Sequence, residues 1–216
     1  MSTSTSPAAD PRAFTPTTLD LGDAHLRPWS RKDIEVPSLV QGLMDGAADP
    51  RTALWNPLRT ADRAAAVKWI EVRGDAWDAG TLATFALLGG PATDPGTDPG
   101  PDAGPRFLGG LGVRWTDRSD GLGMIGYWLL PAARGRGLAT RATLAAAEWA
   151  LRTAGVRRLE LAHAVENEAS CRVALRAGFP AEGTLRASYR FGDGEYHDEH
   201  LHARLASDPS PAPSGA

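Results

Sequence analysis

"LLPAARGRGLATRATLAAAEWAL", Leu129 to Leu151, decides the fold: an apolar strand end, two arginines interleaved with two glycines, then a long alanine-rich run. At about 100° per residue, Arg141, Glu148 and Arg152 form one narrow polar stripe, while Leu138, Ala142, Leu144, Ala145, Trp149 and Leu151 fill the remaining arc. The spacing predicts a largely buried helix from about Gly137 to Ala154, stopped by Gly155, its small alanines close to a sheet. Glu148 and Arg152 make a favourable i,i+4 pair and need no functional explanation. The first amides of such a helix lack intrahelical partners, and its dipole adds about half a positive charge there. Glycines let an anion approach the backbone, and Arg134 and Arg136 sit where the dipole disfavours cations unless an anion is present. The segment therefore predicts a phosphate site, against the plainer alternative of a solvated Gly-Arg turn.

Around it lies a chain of 216 residues, 42% hydrophobic, long enough to bury one domain core. A net charge of -3 argues against a general polyanion binder, so no nucleic-acid partner is expected. Cys171 is the only cysteine, which excludes an intrachain disulfide and suits a reducing cytosol. "MSTSTSPAADPRAFTPTT" has no apolar core like that of a signal peptide, and no run approaches a membrane span, so a soluble cytoplasmic protein with no membrane partner is expected. Residues 1–16 and 206–216, rich in Ser, Thr, Pro and Ala, read as disordered tails. "GGPATDPGTDPGPDAGPR" reads as a flexible insertion at about 90–105 within a domain of residues 17–205.

The order of elements is strand ("AHLRPWS"), a helix from Arg31 to about Met44 capped by Ser30, and a second helix opened by Thr60 or Asp62 and ended by Gly80. Strands follow at about 81–89, 106–116 and 122–130, then the helix already described and the strand "VRRLELAHAV". A helix from Glu168 to Ala177 ends at Gly178, and strands at about 182–191 and 195–205 complete the chain.

Three phosphate-binding motifs compete for "RGRGLA". A Walker A loop needs a lysine that is absent here. A dinucleotide fingerprint finds G-x-G at Gly135–Gly137 and an acid at Glu160, but Thr140 stands in the third glycine's place and only antiparallel-looking strands follow. The third, R/Q-x-x-G-x-G/A, is matched by Arg134, Gly137 and Ala139. With it come "LRPWSRKD", "GMIGYWLLPAARGRGLAT", "VENEASCRVALRAGFPAEGTLR" and "GDGEYHDEHLHARL", in that order. In these four pieces the chain resembles the GNAT N-acetyltransferases, particularly the RimJ/RimL-like branch that acetylates ribosomal proteins, over about residues 19–205.

The resemblance implies an α/β (α+β) GNAT fold: a central mixed, mostly antiparallel, splayed sheet with helices on both faces. It implies acetyl-CoA as acyl donor, with no metal, and direct attack by an amine on the thioester. The pantetheine arm would lie along Leu129 and Leu130. Arg134, Gly135, Arg136, Gly137, Leu138, Ala139 and Thr140 would hold the pyrophosphate. Asn167 would contact the coenzyme arm and Ser170 would protonate the leaving thiolate, although an N-cap role accounts for Asn167 equally well on local grounds. The acceptor is a protein N-terminus or a small-molecule amine, and a homodimer is compatible with the branch. A non-catalytic acyl-CoA-binding module is the alternative, because Met124 stands where related sequences carry a glutamate.

The general base stays open. His163, alternating with Leu159, Leu161 and Val165, is the residue to test, with a core-facing histidine as the competing reading. Strand alternation sends Glu160 to the opposite face, where a structural role is expected. Cys171 reads as core packing. His197, Asp198, His200 and His202 cluster along one strand, but metal ligands usually converge from several elements, so no metal site is assigned. Trp29, Trp55, Trp69 and Trp77 lie in the half expected to shape the acceptor pocket.

Overall fold

Period-two alternation of apolar residues builds the frame. In β3 (Leu82–Gly89), Ala83, Phe85 and Leu87 enter one core while Ala86 and Leu88 enter another on the opposite face. The computed structural model describes residues 15–90 and 107–211. The tails and insertion expected from composition lie, apart from their edges, outside the described residues. At one such edge Arg152 donates to the carbonyl oxygens of Ala206 and, at 2.8 Å, Asp208, which fastens these residues beyond β8 to the rest of the fold.

Eight strands form one sheet in the order β1-β2-β3-β4-β5-β6-β8-β7, with β1 Leu19–Asp20, β2 Ala24–Pro28, β4 Phe107–Asp117, β5 Leu122–Leu129, β6 Arg158–Ala164, β7 Ala181–Arg190 and β8 Tyr196–Leu205. Every pairing is antiparallel except β5 with β6. That parallel ladder joins only Leu122, Gly123 and Met124 to Arg158, Leu159 and Glu160. Beyond it β5 stays with β4 as far as Leu129, and β6 stays with β8 as far as Ala164. The two halves of the sheet splay apart at this point, as expected.

Helices cover both faces: α1 (Pro37–Ala48) and α3 (Arg63–Asp78) supply the core around Trp29, while α4 (Leu138–Arg152) and α5 (Glu168–Arg176) pack on the other. The helix expected from Arg31 to Met44 is in fact two elements. A 3₁₀ turn runs over Arg31–Glu35, Val36 is extended, and Pro37 opens α1 from its first position. Proline disfavours helical backbone in the residue before it and lacks the N–H that an interior position must donate. The same device starts α2 (Pro50–Trp55), a short helix absent from the expectation, whose N-cap Asp49 accepts from the Thr52 amide. Asp62 rather than Thr60 caps α3.

Candidate functional site

The splay opens a cleft of about 290 Å³ bounded by the end of β5, the loop into α4, the first turns of α5, and α2. Its floor follows from the ladder. Leu130 donates its amide to Leu108 of β4 at 2.9 Å, so along β5 the backbone groups of Tyr127 and Leu129 face the opposite, open edge. Both carbonyls on that edge are occupied from within the chain. Asn56, at the end of α2, donates to the Tyr127 carbonyl at 3.1 Å, and Arg134 donates to the Leu129 carbonyl through Nε at 3.1 Å and Nη2 at 2.8 Å.

Arg134 also pairs with Asp49, which caps α2, so both ends of this short helix are tied to the splayed strand. The guanidinium holds the Asp49 carboxyl below the usual carboxylate range. Across the cleft, α2 meets the turn between β7 and β8. Gly192 donates to the Leu54 carbonyl at 2.9 Å, and a Cβ there would lie 1.8 Å from the Ala53 oxygen, so only glycine permits this approach.

The loop Gly135–Thr140 has the geometry of an anion cradle. Gly135 and Gly137 adopt φ of +75° and +70°, left-handed values that favour glycine, and nothing lies within 4 Å of the Cβ either would carry. Gly137 caps α4 without any side-chain hydrogen bond, which leaves the first helical amides unserved. Leu138 is buried and anchors the turn, while Ala139 and Thr140 line the cleft.

The arginines are arranged differently from the sequence expectation. Arg136 lies on the other side of the loop, 3.5 Å from Asp23, and Leu130 packs toward the Trp29 core; neither lines the cleft. Arg134 lines it, but as the tie between Asp49 and the β5 edge. The cations missed from sequence are Arg51 on α2 and Arg172 and Arg176 on α5, all three in the lining. The i,i+4 spacing of Arg172 and Arg176 was a readable signal that both face one side of the helix.

Asn167 and Ser170 both reach the cleft, and Asn167 is also the N-cap of α5, accepting from the Ser170 amide at 3.3 Å. The Ser170 hydroxyl lies 2.9 Å from the hydroxyl of Tyr127, a residue of the quoted "IGYW" stretch that carried no assignment. Burial pushes the Tyr127 phenol up to about 12, and the Ser170 hydrogen bond only partly opposes this. Tyr127 therefore keeps its proton at any physiological pH.

His163 does not fit the role of base. It is buried and not part of the cleft lining, with Nδ1 2.8 Å from the Ala164 carbonyl and Nε2 3.2 Å from Nε2 of His202. Burial lowers its pKa. Glu160 is structural, paired with Arg158 at 2.9 Å, and Met124 receives a contact from Arg114 at 3.6 Å. Among the described residues the lining contains no carboxylate and no histidine. Of the four N-terminal tryptophans, Trp55 lines the cleft, as does Trp128 of β5, whereas Trp29 and Trp77 are core.

A splayed mixed sheet with a glycine-rich helix entry at the splay defines a class, and the sequence match agrees: the chain belongs to the Acetyltransferase (GNAT) domain family, matched over residues 24–180. A ribosomal-protein-serine acetyltransferase of Escherichia coli (strain K12) is 36% identical over 81 residues, 38% of this chain and 45% of that protein, so the match spans less than half of the relative's length. RimL, a ribosomal L7/L12 α-N-protein acetyltransferase solved in complex with coenzyme A, superimposes with a TM-score of 0.73 at 20% identity, over 88% of this chain and 98% of that one. Mycobacterium smegmatis RimJ, solved in complex with CoA-disulfide, gives 0.70 at 23% identity over 92% and 91%. At these identities the structural likeness concerns the fold. Among the described residues, no helix is long and apolar enough to cross a membrane.

Proposed function

We propose that this chain transfers the acetyl group of acetyl-CoA to a primary amine, without a covalent acyl-enzyme. The observation that carries this is the convergence in one cleft of an uncapped glycine turn, an open strand edge and a hydroxyl pair. When bound, the coenzyme supplies an acetyl thioester. The amides of residues 135–140, with Arg172 and Arg176, suit its phosphates. On the open β5 edge both carbonyls are occupied, so the amides of Tyr127 and Leu129 are the groups that edge offers: one to the pantetheine arm and one to the developing oxyanion. Ser170 donates a proton to the departing thiolate, and Tyr127 donates in turn to Ser170.

The absence of a carboxylate or histidine from the described lining bears on the acceptor. The incoming amine must be neutral or lose its proton to water. An α-amine of pKa near 8 is neutral about two hundred times more often at pH 7 than a lysine amine near 10.4. This favours an α-amine, such as a protein N-terminus, over a lysine side chain; α-amino groups of small molecules satisfy the same chemistry. Arg51 and Trp55 on α2 also line the cleft and are available to the acceptor. The same observation supports the second reading, a module that binds acyl-CoA without turnover.

Calorimetry with acetyl-CoA tests the donor assignment. One-to-one binding that Arg172→Ala weakens supports it, and no binding overturns both readings.

A further inference from the structure

Four potential ligands that are scattered in sequence meet on the sheet beside α5. His163 lies opposite His200 in the β6–β8 register, and alternation puts His202 on the same face. Cys171 reaches them from α5, and one ligand atom from each of the four residues lies within 4.8 Å of every other. This is a different set from the run His197–His202. His197 instead lies 2.8 Å from Asp193 and 3.4 Å from Glu166.

The two buried rings are already oriented. His163 Nδ1 lies 2.8 Å from the Ala164 carbonyl and His202 Nδ1 3.0 Å from the Phe179 carbonyl. A carbonyl only accepts, so in each ring Nδ1 is the donor, and in the neutral ring Nε2 then presents a lone pair. Those lone pairs face each other at 3.2 Å. Two such lone pairs repel unless a metal cation or a shared proton lies between them. Two imidazoles bound tetrahedrally at 2.0–2.1 Å place their nitrogens about 3.3 Å apart. A backbone carbonyl on the second nitrogen is also the usual support of a metal-bound histidine.

We infer that His163, Cys171, His200 and His202 form a Cys-His₃ zinc site. Four protein ligands close the coordination sphere, so the metal is structural rather than catalytic. It pins the first turn of α5 to β6 and β8, and that turn carries Asn167 and Ser170. Binding deprotonates the Cys171 thiol to the ligating thiolate, its proton passes to solvent, and no redox step is involved.

Titration of the metal-free full chain with Co²⁺ and Zn²⁺ tests this. The inference expects one equivalent of Co²⁺, a tetrahedral visible spectrum with a thiolate charge-transfer band, and displacement by Zn²⁺. Cys171→Ser removes the charge-transfer band, and His200→Asn weakens Zn²⁺ binding by at least about a hundredfold. Zn²⁺ raises the melting temperature of the parent chain but not of Cys171→Ser. Neither residue lines the acyl-donor cleft, and both are only partly buried, so folded variants are obtainable and circular dichroism verifies them. A parent chain that shows no charge-transfer band overturns the inference, and the histidine pair then shares a proton. Binding abolished by His197→Asn but unchanged in Cys171→Ser overturns it as well. The acyl-transfer reading of the cleft rests on neither result.

Discussion

Arg134 and Asp49, 85 positions apart, form a two-pronged ion pair whose guanidinium also holds the Leu129 carbonyl at the splayed edge of β5. Arg134 is thus a positioning residue that joins the end of β5 to the start of α2. Arg134→Ala is expected to cost about 2 kcal/mol of stability, the scale of a hydrogen bond to a charged group. It should also weaken both acetyl-CoA binding and acceptor KM. Asp49→Asn should reproduce the acceptor defect with a smaller loss of coenzyme affinity. Chemical denaturation and steady-state kinetics of the two variants check this. The pair lowers the Asp49 pKa in the folded state, so its stabilisation is complete above about pH 4, the unfolded value, and is lost as pH falls through the folded value.

Placement separates the remaining arginines. Arg172→Ala and Arg176→Ala, which line the cleft, should each weaken acetyl-CoA by about tenfold, whereas Arg136→Ala, which faces Asp23, should leave it within about twofold. Calorimetry of the three variants, compared at two salt concentrations, reads out the difference.

Ser170→Ala should lower kcat by about a hundredfold, within the range of a lost general acid, with acetyl-CoA affinity little changed. Tyr127→Phe should cost about tenfold, because Ser170 remains. With the phenol at about 12, Tyr127 stays protonated to beyond pH 10, so the rate should rise through the acceptor's own pKa and reach a plateau without an alkaline fall. With an α-amine the midpoint should lie near pH 8. A pH–rate profile on a peptide acceptor measures it.

A buried ion pair outside the cleft lining contributes to fold stability. Arg27 and Asp33 are both buried, 2.9 Å apart, and Asp33 also accepts from the Ser30 amide at 2.9 Å. Asp33→Ala strands a buried guanidinium and should cost about 3–5 kcal/mol in denaturant unfolding while sparing the kinetics of the folded fraction.

What the sequence disclosed followed from interactions local along the chain. Helix α4, its glycine entry and the Asn167 cap were legible because period, capping and left-handed glycines are written within a few residues. The first helix was misplaced because its apolar periodicity runs across Pro37, whose steric demand on Val36 breaks it. Arg134 was legible as a cleft residue but not as the partner of Asp49, since an ion pair 85 positions apart leaves no pattern in either segment. Tyr127 escaped notice for the same reason: its partner Ser170 is 43 positions away. Alternation along β8 put His200 and His202 on one face, but that the β6–β8 ladder sets His163 opposite His200 was not legible, since the two are 37 positions apart.

Thiol release from acetyl-CoA, measured at pH 8 with a panel of N-terminal peptides, lysine peptides with blocked termini and small amines, tests acyl transfer at this cleft most directly. The account predicts turnover on free α-amines, little on blocked lysine peptides, and a large loss in Ser170→Ala. Tight coenzyme binding with every amine silent would contradict it.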